Sequence, residues 1–98
     1  MIEASLYWKD VLLGVVRSTH VDQPWFGGEF IPTPGAEDLR PFFDFMVDEE
    51  ESRDPSDVFD EALLAPENWS LVDESGRMRG IETPAVYWED RSISWQWR

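Results

Sequence analysis

His20 is the chain's one histidine and the only side chain whose ordinary pKa lies near neutrality. With no cysteine present, nucleophilic catalysis would need a serine activated by His20 with a carboxylate behind the imidazole. Asp22, two residues on, could orient that ring, and Trp25 could wall a pocket beside it. No Gly-x-Ser-x-Gly turn is present to expose a serine, and the same spacing also describes an ordinary loop histidine. His20, Asp22 and Trp25 therefore define the alternative reading, a small ligand-binding or hydrolytic protein.

The other chemistry-bearing residues are acids. Asp48-Glu49-Glu50-Glu51 offers oxygen ligands to a hard cation, but it lacks the spaced ligands, central glycine and distal glutamate of a calcium loop. It reads as a solvated, self-repelling run, and no metal or other cofactor is expected. Gly27-Gly28 and Gly35 are not followed by Lys-Ser/Thr, so no phosphate-cradling loop is expected. Paired carboxylates for glycoside chemistry exist in number, yet 98 residues leave little room for a cleft. Trp8, Trp88, Trp95 and Trp97 could form a stacking platform, but their strand alternation points to a core. The expectation is a protein without catalytic activity.

Charge gives the strongest hint. The chain carries 21 acidic and 8 basic residues, a net charge of -13. From Glu37 to Glu61 there are eleven acids against two arginines, leaving only -4 for the rest. Such a surface repels nucleic acid and anionic lipid and draws in basic proteins. The sequence thus predicts a protein-binding or inhibitory module, docking on a basic partner through Asp44, Asp48, Glu49, Glu50, Glu51, Asp57, Asp60 and Glu61. The same acidity would also arise if it served only solubility. A homo-oligomer built on an exposed edge strand and on Phe45 is a third option.

These side chains need a scaffold. Ile2, Ala4, Leu6 and Trp8 alternate with Glu3, Ser5, Tyr7 and Lys9, the period of a half-buried strand. Val11 to Val16 is apolar on both faces, as in a central strand covered on each side. A two-residue turn at Lys9-Asp10 would set Leu6 opposite Leu13 and Ala4 opposite Val15. The segment 22–32 reads as a crossover in which Trp25 and Phe26 anchor a third strand, Glu29–Ile31. A helix follows from near Ala36, with Leu39, Phe42, Phe43, Met46 and Val47 on one stripe and Pro41 demanding a first-turn position. Asp54 and Pro55 open a second helix whose buried side is Val58, Phe59, Ala62 and Leu63. Trp69 and Leu71 suggest a short strand, and Val86 to Trp97 a hairpin with one apolar face.

Asp22-x-Pro24-Trp25-Phe26-x-Gly28-x-Phe30-x-Pro32, followed by Leu39-Arg40-Pro41-Phe42-Phe43, resembles a set of small acidic bacterial proteins of unknown function. The likeness runs from about Val11 to Val47. It implies an α+β domain and a bacterial source, and assigns no activity and no functional residue.

The expected architecture is a single α+β domain over 1–98: a twisted antiparallel sheet of five or six strands with two helices packed on one face. No apolar run approaches the roughly 20 residues of a membrane span. Met1-Ile2-Glu3-Ala4 lacks the pattern of a signal peptide, and the cysteine-free composition suits a reducing cytoplasm.

Overall fold

The N-terminal alternation does make a strand. A computed structural model describes residues 2–22 and 24–98, with side chains at 3–18 and 24–98. Strand β1 is Ile2–Trp8, and Lys9-Asp10 turns it into β2, Val11–Asp22. Tyr7 faces Leu12 as a two-residue turn requires, but a bulge then moves the register, so that Leu6 faces Gly14 and Ala4 faces Val16. Leu13 is the extra residue, and its side chain is fully buried. Gly14 suits this register because a Cβ there would press into the Phe30 ring and the Ile31 carbonyl.

The region 22–32 is no crossover. Strand β3 runs the whole way from Trp25 to Pro32 against β2, with Asp22 facing Trp25. Trp25 stays 46% exposed; the anchor is Phe26, stacked on Trp95 at 5.8 Å. Gly28 allows the close backbone approach, since a Cβ there would collide with the Arg17 carbonyl.

Four further strands complete the sheet: β4 (Trp69–Asp73), β5 (Met78–Gly80), β6 (Ala85–Tyr87) and β7 (Ser92–Trp95). The order is β5-β4-β1-β2-β3-β7-β6, antiparallel throughout, so the count is seven rather than five or six. The expected C-terminal hairpin is present, with Val86, Ile93 and Trp95 buried.

The sheet also closes on itself. Past β5, Ile81 N–H donates to the Trp69 carbonyl on one side. On the other side Glu82 N–H donates to Gln96 O and Arg98 N–H donates to Gly80 O, flanking an Ile81–Trp97 bridge. The stretch 78–87 therefore acts as one bent strand, paired first with β4 and then with the β7 end, and a small barrel results. Its inner side carries Leu6, Val16, Phe30, Leu71, Ile81 and Trp95, all at most 2% exposed. The outer side faces water, which is why Leu12 of β2 is 40% exposed instead of covered.

Between β3 and β4 the expected pair of helices is broken into three short ones. They are α1 (Pro34–Glu37), α2 (Arg40–Val47) and α3 (Glu61–Leu64), with single 3₁₀ turns at Pro55–Asp57 and Pro66–Asn68. Pro41 sits in the first turn of α2, so the regular helix starts later than Ala36. Asp54 caps through Ser56 N–H as anticipated, but the turn it opens ends at Asp57, and Asp60 caps afresh through Ala62 N–H. Helix α2 seals one mouth of the barrel. Phe42 stacks on Trp69 at 6.0 Å, and Phe43 stacks on Trp88 at 6.4 Å. The Trp8 and Trp69 indoles moor α3 by donating to Ala62 O (3.0 Å) and Leu63 O (2.9 Å). Among the described residues no helix is long and apolar enough to cross a membrane.

Candidate functional site

The acidic segment forms the outside of this helical cap. Phe59 of the 55–64 stretch packs edge-on against Phe42 (5.2 Å) and Phe45 (5.1 Å) of α2, binding the cap into one layer. The carboxylates face away from it: Asp44, Asp48, Glu49, Glu50, Asp57, Asp60 and Glu61 are exposed, and Glu51 is half-buried. None of this segment is paired into the sheet.

The eight candidates divide by what they touch. Asp44 pairs with Arg40 at 3.4 Å, one turn away on α2. The Asp48 carboxylate accepts from Glu50 N–H, and that of Asp60 caps α3. Glu51 is gripped by Arg53, whose Nε lies 3.1 Å from Oε2, and these hydrogen bonds pull the Glu51 pKa down to about 2. Glu49, Glu50, Asp57 and Glu61 pair with no cation among the described residues. Both arginines of the segment are engaged, since Arg40 also lies over Trp88 (5.5 Å) and Arg53 over Phe45 (5.4 Å). Phe45 is half-buried within the chain, and β5 pairs with β4 on one side and accepts Arg98 N–H at its last residue, Gly80, on the other.

No three carboxylates or histidines among the described residues converge as a metal centre requires. The side chains of His20 and Asp22 lie outside the described residues. Trp25 projects from the face of β3 opposite Phe26.

The second barrel mouth was missed in the sequence. Here the start of β1, the end of β4 and the start of β5 surround a cleft of about 560 Å³, floored by Ala4 and Leu71. A second cleft of about 600 Å³ adjoins it on the side of Pro24, Phe26 and Gln96. Arg79 and Trp97 line both, with the Arg79 guanidinium 4.1 Å from the Trp97 ring centroid. Arg77, one alternation earlier, lines the first cleft as well. Strand alternation puts Arg77 and Arg79 on one side of Met78, a pattern too short to mark a strand in the sequence. No family profile, no curated protein and no solved structure matches the chain.

Proposed function

We propose that the chain is a non-catalytic binding module whose helical cap docks on a basic protein surface and masks it. The supporting observation is the state of the cap's own cations. Arg40 and Arg53 are each held by a carboxylate and an aromatic ring, leaving Glu49, Glu50, Asp57 and Glu61 projecting without a counter-ion among the described residues. Like charges fixed on one layer raise encounter rates with a basic patch and mimic a phosphate array. A reducing bacterial cytoplasm is the setting we assign, consistent with a sequence that lacks cysteine.

The test is capture of purified basic nucleases or toxins at low and high salt, with affinities measured for wild type and for Glu49→Lys/Glu50→Lys/Asp57→Lys/Glu61→Lys. Binding that weakens steeply with salt and falls by about a hundredfold in the variant is expected. Binding that the four reversals leave intact overturns the proposal.

A further inference from the structure

The barrel mouth opposite the cap carries a different charge logic. Glu3 lines it, but its carboxylate is tied to Arg17 at 3.3 Å. Asp73 lines it too, and its Oδ1 is occupied by Ser75 N–H, Ser75 Oγ–H and Arg77 N–H. The lining thus holds three carboxylates and two guanidiniums, but Glu3 is ion-paired and the Asp73 Oδ1 is saturated with hydrogen bonds, which leaves the Arg77 and Arg79 donor groups as its unused hydrogen-bonding capacity. Neither guanidinium pairs with a carboxylate or donates a side-chain hydrogen bond among the described residues. Arg79 instead lies over the Trp97 ring, its Cζ 4.1 Å from the centroid, with its N–H donors free to meet a planar acceptor.

We infer that this mouth binds an organic monocarboxylate with an aromatic or branched apolar body. The carboxylate takes the Arg79 fork with help from Arg77, and the body lies on Trp97, Leu71 and Ala4. The anion carries a single charge because Glu74 and the field of the whole chain oppose a dianion such as phosphate. The cleft volumes fall in the range of about 300–1,000 Å³ usual for small-ligand sites.

Phenylacetate is the probe, with phenylacetamide as its uncharged counterpart and inorganic phosphate as the dianion. Tryptophan fluorescence and ¹⁵N-resolved NMR titrations of the full chain read the binding. Phenylacetate should bind at least about tenfold more tightly than phenylacetamide or phosphate. It should shift the Trp97 indole N–H resonance and leave those of Trp8 and Trp69, bonded to the α3 carbonyls, in place. Arg79→Gln should weaken it about tenfold and Arg77→Gln a few-fold, whereas Arg53→Gln on the cap should have no effect. Both arginine sites are exposed, so these variants fold. A peptide ending in Phe separates two sources of the same chemistry: tighter binding than phenylacetate assigns the site to chain termini, equal or weaker binding to small acids. Equal affinity for acid and amide, shifts confined to other regions, or no binding at about 10 mM ligand overturns the inference.

Discussion

Glu51 has a charge equilibrium displaced far from that of a free glutamate. Arg53 donates to it from its guanidinium and from its backbone N–H, and its pKa falls from 4.5 to about 2. A carboxyl whose folded-state pKa lies below its unfolded value favours the folded state above about pH 4.5, and that contribution fades as pH drops toward 2. Carboxyl ¹³C titration should therefore give a Glu51 midpoint about 2 units below that of a free glutamate, and Arg53→Gln should return it to the ordinary range. A midpoint unmoved by the substitution would refute the assignment of cause. Backbone sterics act at the same scale. Gly28→Ala should cost on the order of 3 kcal/mol in denaturant unfolding, because the new methyl meets the Arg17 backbone and not a side chain that can swing away. A loss under about 1 kcal/mol would mean that β2 and β3 separate there more easily than their pairing implies.

At the scale of elements, the strands were far more legible than the helices. Period-two patterning marked β1 and β7 correctly because each has one wet and one dry face. It misjudged β2, whose outer Leu12 is apolar although that face is open to water. It missed β5, since three residues are too short to show a period. The second helix failed for a local reason: Asp60 offers its own cap in an extended conformation, and this wins over continuing the turn begun at Pro55. What holds these short helices is tertiary, as their length requires. Trp69→Phe keeps a ring against Phe42 but orphans the Leu63 carbonyl, and should cost about 2–3 kcal/mol while speeding amide exchange through α3. Slowed or unchanged exchange there would contradict the mooring role. Barrel closure can be tested in isolation with Glu82→Pro, an exposed position whose N–H donates to Gln96 O. Loss of that bond should cost about 1–3 kcal/mol and expose Ile81 and Arg98 amides to exchange, with α2 unaffected.

Across the whole molecule, charge and scaffold are arranged in opposition: the cap over one mouth is strongly negative, and the other mouth holds uncommitted arginines. The first half of that arrangement was readable as a run of acids. The second depends on which strands meet at closure, and no local pattern records it. The negative excess should have a thermodynamic cost. At 10 mM salt the Debye length is about 30 Å, comparable to the whole 38 × 26 × 25 Å body, so every carboxylate repels every other. At 0.5 M it shrinks to about 4 Å and only immediate neighbours interact. The opposing terms are weak. The Arg17–Glu3, Arg17–Glu29 and Arg40–Asp44 pairs are about half solvent-exposed, and such pairs contribute about 0–1 kcal/mol each. Repulsion should therefore win, and sodium chloride between these limits should raise the unfolding midpoint by about 4–8 °C, or roughly 1 kcal/mol. The four Lys reversals on the cap, each adding two positive charges, move the net charge from -13 to -5. That variant should be the more stable protein at low salt and should lose most of the salt response, even as it loses the basic partner. A midpoint that falls with added chloride, in either protein, would show that the ion pairs outweigh the repulsion and that the cap's acids are compensated within the fold.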